Sequence, residues 1–232
     1  MNDLLKKITN VFKCISHAAM RAGRNPEEIK LIAVTKTVPS EKIIEAIEAG
    51  LRIFGENRVQ EARDKIPEIM LRCPDITLSW HMIGPLQKNK AKYAVKLFDM
   101  IHSVDSKELA IEINKQAEKI NKIQEILIEV KLSPEETKHG IRAEELFELL
   151  EFTTTLKNLE VKGLMTIPPY SDNSEDSRPY FRRLRKLLEE ANTKGFPLKE
   201  LSMGMSGDFE IAVEEGATMV RIGTAIFGER LK

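Results

Sequence analysis

Lys36 is the residue whose type and position most directly suggest chemistry. It follows the apolar run "LIAVT" and precedes "TVPS", so its side chain begins at the edge of a buried layer. Partial removal from water, with a second cation such as Arg221 nearby, favours the neutral amine, which forms a Schiff base with an aldehyde. A lysine at a strand end is as often simply solvated, because lysine is rarely fully buried. The rest of the sequence must decide between the two interpretations.

Two turns near the C-terminus have the composition of an anion-binding site. Each follows an apolar run and combines glycine with a hydroxyl residue: Ser206-Gly207-Asp208 before "FEIAVEEG", and Gly223-Thr224 before "AIFGER". Helix N-termini carry unpaired backbone N–H groups and a partial positive charge, and glycine lets an oxyanion approach the backbone closely. A single turn of this kind is more often an ordinary strand-to-helix connection, because such turns are common. Two such turns at one place would predict a phosphate site.

The elements that position these residues alternate regularly along the chain. Short apolar or β-branched runs are separated by segments with apolar residues three and four apart, which indicate amphipathic helices. The predicted strands are "KLIAVTK" (30–36), "RIFGEN" (52–57), "SWHMIG" (79–84), "MIHSV" (100–104), "EILIEVKL" (125–132), "VKGLMTI" (161–167), "ELSMGM" (200–205) and "MVRIG" (219–223). Strict alternation of strand and helix predicts an α/β fold with a parallel sheet and right-handed crossovers.

Eight strand–helix units predict a closed barrel. We expect a single-domain (β/α)8 TIM barrel over 30–228, preceded by a helix over 1–23, with no second domain in 1–232. An open doubly wound sheet is the alternative, and it is disfavoured because no G-x-G-x-x-G motif follows the first strand. In a barrel the active site lies at the C-terminal ends of the strands, and a frequent phosphate site follows strands seven and eight. The two turns therefore meet, which favours phosphate binding.

The other strand ends add polar side chains to the same rim. They are Lys36, Asn57, His81, Ser103, Thr166 and Arg221. A phosphorylated aldehyde would then be held at both ends, by the phosphate turns and by Lys36.

The composition excludes several classes of function. Lys plus Arg and Asp plus Glu number 36 each in 232 residues, so no net field attracts nucleic acid or an anionic membrane. Cys14, Cys73 and the four histidines fit no metal or redox spacing, so we expect no metal site. The N-terminal segment is amphipathic and lacks the continuous apolar stretch of a signal peptide or membrane span. We expect a cytoplasmic protein.

Six motifs in chain order resemble one known family. They are "AVTKTVP", "FGENRVQE", "WHMIGPLQKNK", "HSVD", "LMTIPP" and "LSMGMSGDFEIAVEEGATMVRIGTAIFGER". Together they resemble the pyridoxal phosphate homeostasis proteins (the YggS/PROSC family) over nearly the whole chain from about residue 30. The resemblance implies a barrel similar to the N-terminal domain of alanine racemase, with pyridoxal 5′-phosphate (PLP) bound through a lysine Schiff base.

The resemblance also implies a role for each matching residue. The implied cofactor-binding residues are Lys36, Asn57, His81, Met165, Ser202, Ser206, Gly207, Arg221, Gly223 and Thr224. Lys36 would form the Schiff base, Arg221 would face the pyridine nitrogen, and Ser206 with three backbone segments would hold the phosphate. The remaining residues would line the pocket. Gly207 stands where the family often has an acidic or polar residue, yet it still offers its N–H.

Three functions are compatible with a lysine beside a phosphate site: a PLP carrier, a small PLP-dependent amino-acid racemase and a Schiff-base aldolase. A racemase needs a second acid–base group opposite Lys36, which the larger racemase relatives supply as a tyrosine from a separate domain that we expect to be absent here. Tyr170, in the loop after strand six, is interpreted as a surface or lid residue. An aldolase lysine belongs on a middle or later strand, where Lys131 and Lys138 are the substitutes.

The carrier is the function that we expect. An arginine at the ring nitrogen has no acceptor for a proton, so it leaves the cofactor a weaker electron sink than a carboxylate partner would. We therefore expect a monomer without catalytic residues that carries or buffers PLP for vitamin B6 homeostasis and passes it to PLP-dependent apoenzymes.

Overall fold

Eight parallel strands close into a ring in the part of the chain that the computed structural model describes, residues 3–133, 135 and 139–229. The strands of the described residues, all of which except β6 belong to the ring, are β1 (Lys30–Val34), β2 (Ile53–Glu56), β3 (Ser79–Met82), β4 (Met100–Val104), β5 (Gln124–Lys131), β6 (Ile141–Arg142), β7 (Leu159–Met165), β8 (Glu200–Ser202) and β9 (Met219–Ile222). Each barrel strand pairs in parallel with the next, and the pairing of β9 with β1 closes the ring. The two-residue β6 pairs with β5 outside the ring. The predicted (β/α)8 barrel is confirmed, and the open sheet is excluded.

Helices surround the ring and follow the strands in the alternation expected from the sequence. They are α1 (Asp3–Arg21), α2 (Ser40–Glu48), α3 (Val59–Arg72), α4 (Ala91–Leu97), α5 (Lys107–Glu118), α6 (Leu146–Thr153), α7 (Arg178–Thr193), α8 (Phe209–Glu214) and α9 (Thr224–Phe227). The extra N-terminal helix is confirmed as α1, which buries Leu4, Ile8, Val11 and Ile15 and packs against α8 and α9. None of the described helices combines the length and the apolarity needed to cross a membrane.

The core has two parts because side chains of a barrel strand point alternately outward and inward. The outward side chains pack against the helices and form the large core. The interior holds a small apolar cluster of Ile32, Met100, Leu127, Met165 and Met219.

A polar layer lies above that cluster, closer to the C-terminal ends of the strands. Met100 and Met219 begin β4 and β9, and two residues further along the same strands are His102 and Arg221. A spacing of two residues keeps a side chain on the same face of its strand, so His102 and Arg221 also point into the barrel. Both are buried. The interior therefore changes from apolar to polar as it approaches the rim where the site was predicted.

Candidate functional site

A cavity of about 340 Å³ opens at the C-terminal ends of β1, β2, β3, β7, β8 and β9. Its lining includes seven of the ten predicted cofactor-binding residues: Lys36, Asn57, Ser206, Gly207, Arg221, Gly223 and Thr224. The volume is in the range of small-molecule sites in proteins. The barrel thus brings together residues that are far apart in the sequence, as the positions of the strand ends predicted.

The two phosphate turns are joined by a hydroxyl group. Ser206 Oγ accepts hydrogen bonds from the backbone N–H groups of Gly223 (3.3 Å) and Ala225 (3.4 Å). The loop after β8 is therefore tied to the start of α9. Asp208 orders this loop, because its carboxylate accepts hydrogen bonds from the backbone N–H of Met205 (2.7 Å) and the hydroxyl of Ser177 (2.9 Å). The result is a compact cradle with hydroxyl and N–H groups, the chemistry that binds a phosphate.

Gly204 determines the backbone path of the same loop. Its φ is +92°, a left-handed conformation that side chains disfavour. A Cβ atom there would lie 2.5 Å from the Cβ of Ala212 in α8, so the glycine also allows the close approach of loop and helix. By contrast, a Cβ at Gly207 would meet nothing within 4 Å.

Arg221 is held at the base of the cavity by two hydrogen bonds. Its Nη1 donates to Ser202 Oγ (2.7 Å) and its Nη2 donates to the carbonyl oxygen of Thr166 (3.0 Å). Burial lowers the pKa of the guanidinium to about 10, and the charges of Glu129 and Asp208 oppose this shift. The group therefore stays protonated at neutral pH. Its orientation is set before any ligand arrives.

A chain of hydrogen bonds continues from Arg221 across the barrel interior. Ser202 Oγ lies 2.9 Å from His102 Nδ1, His102 Nε2 lies 3.0 Å from His81 Nδ1, and His81 Nε2 lies 3.1 Å from Ser79 Oγ. Burial lowers the pKa of His81 to about 4 and that of His102 well below its ordinary value. Both rings are therefore neutral at pH 7, and each has a polar partner at both nitrogens.

Three predicted lining residues lie deeper than expected. His81, Met165 and Ser202 are buried in the barrel interior beneath the cavity and do not belong to its wall. Met165 belongs to the apolar interior cluster, and the other two belong to the hydrogen-bonded chain below Arg221. They lie deeper because the chain continues beyond them before it reaches the rim of the barrel. β3 continues to Met82 after His81, and the chain after Ser202 runs to Met205 before it reaches the cavity.

Asn57 supplies the wall of the cavity with a buried amide oxygen. Its Oδ1 is buried and has no hydrogen-bond partner among the described residues. Its backbone is held by a close approach, because a Cβ at Gly84 would lie 2.4 Å from the Asn57 carbonyl oxygen. A buried unpaired acceptor costs free energy unless a ligand or water satisfies it, so Asn57 fits a ligand that brings a donor.

Of the two predicted alternatives to Lys36, the structure describes only Lys131. Lys131 ends β5 and does not line the cavity, and Lys138 lies outside the described residues. Tyr170 does line the mouth, but 87% of its surface is exposed and its hydroxyl donates to Asp172 Oδ1 (2.8 Å).

Two buried ionisable residues near the site are not among the residues predicted from the sequence. His102 completes the hydrogen-bonded chain, and Glu129 is buried on β5. Burial first, and then the charge of Asp105, raise the pKa of Glu129 to about 7, while Arg221 lowers it. A charged residue within the apolar run "EILIEVKL" was the available signal. Among the described residues no group of three or more His, Cys, Asp or Glu side chains could hold a metal ion.

Comparisons with known proteins give a consistent result. The family model for the alanine racemase N-terminal domain matches residues 15–231. A pyridoxal phosphate homeostasis protein of Aquifex aeolicus is 51% identical over 97% of this chain and 97% of its own. The protein of the same name from Escherichia coli K12 is 43% identical over 99% of this chain and 98% of its own.

A solved structure agrees with the sequence comparisons. It is PipY of Synechococcus elongatus with PLP bound, which superimposes with a TM-score of 0.82 at 40% identity and covers 92% of this chain and 100% of its own.

The closed barrel with a lysine, a buried arginine and a cradle of hydroxyl and N–H groups at one mouth defines the class of the alanine racemase N-terminal domain. Within that class the chain belongs to the pyridoxal phosphate homeostasis proteins, which confirms the resemblance seen in the motifs.

Proposed function

We propose that this protein binds PLP in the cavity at the barrel mouth and serves PLP homeostasis as a carrier or buffer, without catalytic turnover. The observation that carries the proposal is the meeting of Lys36, Arg221 and the two phosphate turns around one cavity of about 340 Å³. The relatives from Aquifex aeolicus and Escherichia coli K12 are named for PLP homeostasis, and PipY has been solved with PLP bound.

The residues of the wall fit the parts of PLP. Ser206 and the backbone N–H groups around Gly207, Gly223 and Thr224 would hold the phosphate. Arg221 would face the pyridine nitrogen, and the unpaired Oδ1 of Asn57 would accept a hydrogen bond from the ligand or from a water beside it.

Lys36 would make the covalent attachment. Its amine nitrogen bonds to the aldehyde carbon of PLP, the C=N bond replaces the C=O bond, and the oxygen leaves as water. The phosphate cradle increases the rate of this step by holding the aldehyde in place. His81, Met165 and Ser202 would act from the layer below, His81 and Ser202 by fixing Arg221 and Met165 by filling the interior.

The lack of turnover follows from Arg221. When bound, PLP can stabilise a carbanion best if its ring nitrogen is protonated. A guanidinium whose pKa is about 10 remains charged at neutral pH and has no acceptor for that proton. Arg221 therefore holds the ring while disfavouring its protonated form.

A racemase, the second candidate, needs an acid–base group on the face opposite Lys36. Tyr170, the tyrosine at the cavity mouth, is almost fully exposed and bonded to Asp172. We therefore favour the carrier, and we propose that it acts as a monomer in the cytoplasm and transfers PLP to PLP-dependent apoenzymes.

The experiment is reduction of the PLP-loaded protein with borohydride, followed by peptide mapping. We expect a visible absorption band before reduction and a single label on Lys36 afterwards. Lys36→Ala should lose both, while Lys131→Ala, a matched change outside the cavity wall, should lose neither. A label on Lys131 or Lys138 in the wild-type protein would contradict the assignment.

A further inference from the structure

The turn that carries Lys36 has an unusual backbone. Thr37 has a φ of 61°, and among the described residues Asn121 is the other non-glycine residue with a positive φ. Asparagine tolerates this left-handed conformation, whereas a β-branched threonine does not adopt it without strain. Strain of this kind persists only where surrounding contacts impose it. The side chain of Thr37 is exposed, so packing of that side chain is not the contact that imposes it.

The turn is closed by a hydrogen bond from the backbone N–H of Val38 to the carbonyl oxygen of Thr35 (3.0 Å), and its side-chain contacts come from three charged residues, Glu56, Glu61 and Lys65, which we call the Glu–Lys cluster. The backbone N–H of Thr37 donates to Glu61 Oε1 (2.6 Å). Lys65 Nζ donates to the same Glu61 oxygen (2.6 Å) and to Glu56 Oε1 (2.8 Å). Glu61 lies in the first turn of α3 and Lys65 lies one turn further, so one helix presents both groups.

The cluster also holds the residue on the other side of Lys36. Lys65 Nζ donates to the carbonyl oxygen of Thr35 (2.8 Å), and Thr35 Oγ1 donates to Glu56 Oε1 (2.7 Å). Thr35 and Glu56 are fully buried, and Lys65 is 9% exposed. The two neighbours of Lys36 in the chain are therefore bonded to one rigid group of side chains, while Lys36 itself lines the cavity.

Stability alone is a poor explanation of this arrangement. Burial raises the pKa of Glu56, and Lys65 opposes that shift. The second oxygen of Glu56, Oε2, is buried without a hydrogen-bond partner among the described residues. Buried ion pairs recover their desolvation cost only when every polar atom is satisfied, and apolar residues of similar volume often stabilise a fold as well or better. In addition, the cluster bonds the backbone on both sides of Lys36, which a purely structural ion pair has no need to do.

We propose that Glu61, supported by Lys65 and Glu56, is a positioning residue that fixes the backbone around Lys36 and so directs its amine at the carbonyl carbon of PLP. The inference rests on the proposed function, because it gives a role to the surroundings of the Schiff-base lysine. Misplacement of a reacting group by about 1 Å lowers a rate on the order of 100-fold, so a turn held in one conformation matters for this step.

Glu61→Ala is the test variant, because it removes the acceptor of the Thr37 N–H and leaves the buried Lys65–Glu56 pair in place. Two ligands separate positioning from binding. PLP forms the covalent bond, whereas pyridoxine 5′-phosphate has no aldehyde and can only occupy the cavity. We expect the rate constant of covalent attachment to fall by about 10-fold or more, with the affinity for pyridoxine 5′-phosphate changed by less than about 2-fold. Hydrogen exchange of the Thr37 amide in the protein without ligand should become faster.

Three companion variants distinguish this role from general loss of structure. Glu68→Gln is the matched control on the same helix, since Glu68 bonds Ser40 and Arg72 on the surface, and it should change neither rate nor exchange. Glu61→Gln keeps an acceptor oxygen and should retain most of the wild-type rate. Thr37→Asn in the Glu61→Ala background should restore part of the lost rate, because asparagine adopts the left-handed conformation more readily.

The outcomes separate the two proposals. Wild-type protein that is not labelled at Lys36 overturns the proposed function and this inference together. If the wild-type protein is labelled at Lys36 but Glu61→Ala and Glu68→Gln form the covalent bond at equal rates, only the inference is overturned. The same holds if Glu61→Ala loses affinity for pyridoxine 5′-phosphate by as large a factor as it loses rate. If Glu61→Ala does not fold, the same two ligands are compared on Glu61→Asp. This variant keeps the charge but moves the carboxylate away from the Thr37 N–H by one methylene.

Discussion

Arg221 Nη1 lies 2.7 Å from Ser202 Oγ, at one end of a buried hydrogen-bonded chain that continues through His102 and His81 to Ser79. The guanidinium can only donate, so Ser202 accepts from Arg221, and the same hydroxyl forms a second hydrogen bond with His102 Nδ1. Because both histidines are neutral at pH 7, the chain orients Arg221 without adding a second positive charge beneath it. Ser202 therefore acts on the cavity wall through Arg221.

The first prediction follows from this contact. Ser202→Ala leaves Arg221 Nη1 and His102 Nδ1 without their common partner, and burial prevents water from replacing it freely. We expect a loss of about 1–3 kcal/mol in the free energy of unfolding, measured by urea denaturation, and a weaker affinity for PLP. Ser79→Ala, at the partly exposed end of the chain, is the control and should cost less. Equal losses for the two variants would contradict the role of Ser202.

The fold was predictable because its signals are local and repeated. Each of the eight predicted runs overlaps one strand of the barrel, although β5 and β7 begin one and two residues earlier than predicted, and the alternation with helices indicated their parallel direction. The two-residue β6 was missed, since two residues are too few to show a period of two. The rim positions of Lys36, Ser206 and Gly223 followed from the rule that sites lie at the C-terminal ends of barrel strands.

The depth of each residue was not predictable in the same way. His81 and Ser202 were assigned to the wall of the pocket, yet they lie beneath it. Their level depends on the stagger between neighbouring strands, which is set by pairing around the whole ring and has no local signal in the sequence. The Glu–Lys cluster was missed for a related reason. The spacing of Glu61 and Lys65 indicates an ordinary surface pair, and only the packed structure shows that Lys65 reaches the turn at Lys36.

The second prediction concerns two glycines, Gly204 and Gly207, in the loop after β8. Gly204→Ala places a side chain on a residue whose φ is +92° and 2.5 Å from Ala212, so α8 and the loop must shift. We expect a lower melting temperature and a weaker affinity for PLP. Gly207→Ala is the matched control, because its Cβ would meet nothing within 4 Å and its N–H is retained. Equal losses of melting temperature and PLP affinity in Gly207→Ala and Gly204→Ala would contradict the role given to Gly204 in this loop.

The third prediction is a pH dependence caused by Glu129. Its folded-state pKa of about 7 lies above the ordinary value of 4.5, chiefly because of burial and the charge of Asp105. The folded protein therefore binds the proton more tightly, and the stability from this group is complete below about pH 4.5 and lost as the pH rises through about 7. Glu129→Gln removes that loss, so its unfolding free energy relative to wild type should rise by ~3 kcal/mol across the same interval.

The measurement is urea unfolding of both proteins from about pH 5 to about pH 8. The buried histidines act in the opposite direction, since their lowered pKa values give stability that is lost as the pH falls below about 6.5. They are present in both proteins, so their effect largely cancels in the difference. A difference between the two proteins that does not change with pH would contradict a raised pKa at Glu129.

The last prediction concerns amino-acid chemistry and follows from Arg221 and Tyr170. In the proposed binding mode a protonated guanidinium faces the ring nitrogen and weakens the electron sink. Tyr170 is exposed and bonded to Asp172, so it does not supply a second base opposite Lys36. Amino acids should therefore change the absorption spectrum of the PLP-loaded protein but exchange their α-protons slowly. The measurement is deuterium incorporation and optical purity of alanine and serine in heavy water, with free PLP as the control. Exchange or racemisation on the order of 1 s⁻¹ or faster lies in the ordinary range of enzymes and would contradict the carrier function. A rate close to that of free PLP would show that the barrel holds the cofactor without activating it.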